Sequence, residues 1–199
     1  MLALIFGGLP CADNFGAIDH YNRAVDYANE WKLQMALNET DLALIENQNF
    51  TLAHITRAGI LNALGRYDES LAASDKAIAL NPNLSAAWNN RAYALIHLGR
   101  FPEGLDAAER AAALDPALTE AWVNKGTALI ALGRYQEAVI ASGQALLLDP
   151  SSEEAKKNRE TAQESLAKMS PTKTPLTVPG ILGAVSLGAA AYRSGRIRK

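Results

Sequence analysis

The chain has 199 residues, 49% of them apolar and 20% charged, with a formal net charge of −2. That suffices for one ordinary folded domain with a real core, and a single cysteine, Cys11, excludes a disulfide framework. The charge is uneven: up to Lys168, 21 acidic residues face 14 basic ones, a net of −7, which argues against nucleic-acid phosphate as a ligand.

In chain order, Met1 to Leu9 is apolar, and residues 1–12 read as a secretory-signal remnant, with a hydrophobic strap packed on the first repeat as the alternative. Gly8-Leu9-Pro10 is a poor lipidation motif, so Cys11 reads as an inert thiol. Residues 17–50 form a degenerate version of the units that follow. His20 stands one period before His54, Trp31 replaces a turn glycine and Gln48 replaces a closing proline.

Three clear units follow, at 51–84, 85–118 and 119–150. Asn81-Pro82, Asp115-Pro116 and Asp149-Pro150 recur at a 34-residue interval. So do Leu64-Gly65-Arg66-Tyr67, Leu98-Gly99-Arg100-Phe101 and Leu132-Gly133-Arg134-Tyr135. A fixed period of this length marks stacked supersecondary units. Within one unit, Ala86 to Leu98 and Glu103 to Leu114 read as helices, broken by glycine and closed by Asx-Pro, whose Asn or Asp is expected to cap the next helix. Columns of small residues (Ala58, Ala92, Gly126; Ser70, Gly104, Ala138; Ala77, Ala111, Ala145) predict close helix approach. Residues 151–169, helical from Ser152 to Met169, read as a polar cap over the last unit.

With Trp88 and Trp122 early in the first helix and Tyr67, Phe101 and Tyr135 opening the second, residues 51–150 resemble the tetratricopeptide repeat (TPR) family. The resemblance implies an all-α solenoid of helix hairpins wound into a right-handed superhelix. It also implies a concave groove lined by the first helices, and a binder rather than a catalyst. The slot two residues after the Trp/His position holds Asn22, Thr56, Asn90, Asn124 and Asn158. Such a column resembles the asparagine ladder of O-linked N-acetylglucosamine transferase, which implies pairing with the backbone of an extended peptide. The other reading is hydrogen bonding between repeats. Ile55, Gly59, Asn89, Tyr93, Val123 and Thr127 are the neighbouring groove positions. They carry no Lys or Arg, unlike TPR proteins that clamp chaperone tails, so that class of partner is disfavoured. The basic column Arg23, Arg57, Arg91, Lys125 and Arg159 is expected to pack its stems and pair its heads with nearby acids.

No catalytic constellation emerges. His20 and His54 occupy the Trp slot, His97 has no ligand-spaced companion, and no phosphate loop or metal motif is present, so no catalytic, metal or cofactor residue is assigned. The column Glu69, Glu103 and Glu137 reads as support for local helix pairing.

After a Pro-containing linker at 170–175, Leu176 to Tyr192 runs 17 residues without a charge, then Arg193, Arg196, Arg198 and Lys199 follow. As a helix this run would reach about 25 Å, near the thickness of a hydrocarbon core. The order predicts a membrane-spanning helix with the basic end in the cytoplasm and the repeats outside. The segment also resembles the C-terminal sorting signals of prokaryotic surface proteins, although it has no clean Pro-Glu-Pro or Pro-Gly-Phe motif. The whole chain therefore reads as a membrane-tethered, non-catalytic scaffold for a protein or peptide partner, with no nucleic-acid or small-molecule ligand evident. A cytoplasmic-facing adaptor and a purely structural envelope protein are the alternatives.

Overall fold

The structure, a computed structural model, describes residues 13–169; these form nine α-helices and no strand. They are α1 (Asp13–Asn29), α2 (Leu33–Glu46), α3 (Thr51–Ala63), α4 (Tyr67–Leu80), α5 (Ser85–His97), α6 (Phe101–Leu114), α7 (Thr119–Ala131), α8 (Tyr135–Leu148) and α9 (Glu153–Met169). The signal remnant, Cys11, the linker and the 176–199 segment lie outside the described residues. Within 13–169 no helix is long and apolar enough to cross a membrane.

Each hairpin is closed by the same turn. Gly65, Gly99 and Gly133 have φ of 73°, 74° and 72°, the left-handed region that a Cβ disfavours. The N–H of Gly99 bonds Ile96 O and that of Arg100 bonds Leu95 O, which is the paired closure of a Schellman motif. Trp31 makes the same closure between α1 and α2, with φ 58°.

The links between hairpins differ from expectation. Asn81, Asp115 and Asp149 do not cap the next helix; they stand at the end of α4, α6 and α8, where their backbone N–H still bonds Ala77, Ala111 and Ala145. Their side chains accept the N–H two residues on, from Asn83, Ala117 and Ser151. Asn47, which has no following proline, does the same with Asn49. Proline is the second residue of this Asx turn, where its fixed φ fits, and the next helix begins only after Leu84 or Leu118. The second helix of the third hairpin also starts at Phe101, two residues before Glu103, because Pro102 lacks only an N–H that a first helical turn leaves unused.

Packing follows the small-residue columns. Ala58 and Ala92 are fully buried, and a Cβ on Gly126 would come within 2.9 Å of Ser142 Oγ, so the side chain of Ser142 on α8 rests against the bare backbone of α7 there. Leu61, Leu95 and Leu129, again one period apart, are the largest fully buried side chains. Trp88 and Trp122 fill the seams between hairpins and donate their indole N–H to Pro82 O (2.8 Å) and Pro116 O (3.0 Å). His54 substitutes for them by bonding Gln48 O at 2.9 Å. α9 covers the end of the stack, with Ala155 and Ala162 buried against the last repeat.

Adjacent first helices approach closely all along the stack, α1 with α3, α3 with α5, α5 with α7 and α7 with α9, while no two second helices come as near. The stack therefore curves toward its first helices, which form the concave wall.

Candidate partner-binding groove

Two adjoining recesses open on that wall. One, of about 240 Å³, is lined by residues of α3, α5, α7 and α9, among them Asn62, Asn89, Asn90, Tyr93, Glu120 and Glu154. The other, of about 300 Å³, shares Tyr93, Val123, Asn124 and Glu154 and adds Thr127, Lys157 and Asn158. Tyr93 stands between them. Its ring lies 4.3 Å from the His97 ring and 6.3 Å from that of Tyr67, and Tyr67 stacks on His97 at 4.6 Å. Burial, with smaller contributions from Tyr67 and the Glu154 charge, pushes the Tyr93 hydroxyl above its ordinary 10, so it remains a neutral phenol at neutral pH.

The asparagine column is stitched into the solenoid. Asn90 Nδ2 donates to Ile55 O at 3.0 Å and Asn124 Nδ2 to Asn89 Oδ1 at 2.8 Å. Asn158 Nδ2 donates to Val123 O at 3.2 Å and Thr127 Oγ1 at 2.9 Å. Each bond ties one first helix to the preceding one. Hydrogen bonding between repeats is thus the role that the geometry shows, and only the remaining polar positions of these carboxamides face company. Thr56 lies in a neighbouring apolar recess with Trp31, Ala28 and Leu33. Ile55 enters through its carbonyl rather than its side chain. Asn22, exposed on α1, lines none of these recesses.

Sequence reasoning missed Glu120, Glu154 and Asn62. The two glutamates are one period apart, but the same slot holds Leu52 and Ala86, so no column advertised them. Asn62 occupies a slot held by Ile96 and Ile130 in later repeats. A polar residue breaking an apolar column was the available signal.

From Arg57 to Lys125 the basic column is paired as charge chemistry predicts. Arg57 meets Asp41 at 2.7 Å, Arg91 meets Asp75 at 2.7 Å and Lys125 meets Glu109 at 3.0 Å, each joining a first helix to the second helix before it. Arg91 and Lys125 also lie over the rings of Trp88 and Trp122. Glu69, Glu103 and Glu137 accept from Arg66, Arg100 and Arg134 across one helical turn, and those bonds hold their carboxyls below the usual range. Among the described residues no group of three or more His, Cys, Asp or Glu is placed to hold a metal ion.

Family models described as tetratricopeptide repeat match residues 53–84, 73–106 and 119–152. The hairpins within 53–106 and 119–152 are tetratricopeptide repeats. Among solved structures, the TPR protein YrrB, described as having an unusual peptide-binding site, is 25% identical, covering 76% of this chain and 84% of its own at a TM-score of 0.60. The first TPR of Spaghetti (RPAP3), bound to the HSP90 peptide SRMEEVD, is 26% identical over 59% of this chain and 93% of its own, with a TM-score of 0.56. MamA from Desulfovibrio magneticus RS-1 shares the fold at 21% identity, covering 79% of this chain and 94% of its own, with a TM-score of 0.64. No curated protein matches the chain. The repeat region is a TPR-type scaffold for protein–protein interaction.

Proposed function

We propose that the concave wall holds an extended segment of a partner protein, laid across α3, α5, α7 and α9 with Tyr93 as its apolar anchor. The pair of recesses meeting at Tyr93 carries this reading, because a half-buried aromatic between two polar-rimmed hollows suits alternating side chains of an extended chain. Structural neighbours solved with bound peptides support a peptide as the kind of occupant. The test is selection of displayed random peptides on the full-length chain. Groove binders should be enriched and should lose at least tenfold in affinity on Tyr93→Ala, with far-ultraviolet circular dichroism unchanged. If no enriched peptide depends on Tyr93, this wall is not the binding face.

The uncharged run at 176–192 and its basic flank further support a membrane tether, with the repeats on the extracytoplasmic side. Deleting residues 176–199 should move the protein from the membrane fraction to the soluble one. Retention at the membrane would remove the tail as anchor.

A further inference from the structure

The chemistry of the recess beside Tyr93 says more than that a peptide lies there. Its polar lining is dominated by acceptors. Glu120 and Glu154 are exposed carboxylates, and among the described residues no cation lines this recess; Lys157 belongs to the adjoining one. Asn62 is 7% exposed; its Nδ2 donates to Asn90 O at 3.1 Å, while its buried Oδ1 has no hydrogen-bond partner among the described residues. An orphaned acceptor in that position costs stability unless something donates to it. The carboxamides of Asn90 and Asn124 each spend a donor between repeats, and their oxygens accept nothing from the repeats. Two carboxylates, spare amide oxygens and a phenol face complement a planar cation with several N–H groups.

We infer that this recess takes the guanidinium of an arginine carried by the partner's extended segment. The inference rests on the wall being the binding face. Arginine suits it better than lysine, because a forked donor can address a carboxylate and an amide oxygen together while its plane lies on Tyr93. A carboxylate-ended segment meets two like charges there and is rejected.

The peptides selected on the full-length chain decide the matter. Tyr93-dependent peptides should carry an arginine, and replacing it with citrulline, a neutral near-isostere, should weaken binding about tenfold. Glu120→Gln and Glu154→Gln should each produce a comparable loss for the arginine peptide and little for the citrulline one; both sites are exposed, so the fold tolerates them. Asn62→Ile, which restores the residue type of the later repeats, should raise the unfolding midpoint while lowering affinity. Tyr93-dependent peptides that lack arginine, or that bind equally well as citrulline forms, overturn the inference and leave the binding face standing. Absence of any Tyr93-dependent peptide overturns both. Self-association of the peptide-free protein that Glu120→Gln abolishes would assign the recess to a second copy and overturn it too.

Discussion

Trp31 holds a backbone conformation that three glycines hold elsewhere, with φ 58° and a side chain 79% exposed. A bulky residue in the left-handed region costs about 1–2 kcal/mol, and here little burial offsets it. Trp31→Gly should therefore raise stability by about 1 kcal/mol, read as a higher urea midpoint at unchanged slope. His54 carries a second residue-scale prediction. Burial first, then the nearby Lys76 and Arg57 charges, hold its pKa below the ordinary 6.5, against the opposing pull of its bond to Gln48 O. The unfolded chain thus takes up the proton before the folded one does. Stability is complete above about pH 6.5, falls as pH drops below it, and levels off once the folded imidazole also titrates. His54→Gln should flatten that part of the decline in melts recorded between pH 7.5 and 5. The column of asparagines was visible in the sequence, but the direction of each carboxamide was not. It depends on a carbonyl or amide 35 residues away, and only assembled helices show which is in reach.

Between elements, a rung of opposite charges recurs: Asp41 with Arg57, Asp75 with Arg91, Glu109 with Lys125. The next rung would join position 143 to Arg159, and position 143 is glycine inside α8. A Cβ there would meet nothing within 4 Å. Gly143→Glu should stabilise the protein by about 1 kcal/mol, most of it from helix propensity and the remainder from pairing with Arg159. Comparing it with Gly143→Gln in chemical melts separates the two contributions, and at high salt the difference should shrink. The hairpins themselves were legible because glycine, Asx-Pro and aromatic positions repeat in one register. The Asx role was not, because capping the next helix and closing a turn after the previous one need the same residue at nearly the same place. Only the observed helix start at Ser85, with Leu84 before it, separates them.

Across the described residues the stack ends on α9, a polar helix whose buried side is little more than Ala155 and Ala162. It shields Val123 and Leu129, and Asn158 fastens it to α7. Ending the chain after Ser152 should cost about 3 kcal/mol, since two large apolar side chains gain solvent, and should lower the urea slope as less surface remains to be exposed on unfolding. The polar helix was readable from its composition and its place after the last repeat, and of its apolar positions Ala155 and Ala162 are buried while Met169 is exposed. Its glutamate in the recess was not, because a capping role and a binding role draw on the same exposed carboxylates.

Because neighbours clasp along one side of the stack and stay apart along the other, the repeat stack is built like a leaf spring. A small change of angle at each seam, summed over four seams, alters the pitch of the trough while every Leu61-like residue keeps its burial. An occupant longer or shorter than the resting trough would then be met by flexing, and the elasticity would reside in the unclasped outer gaps.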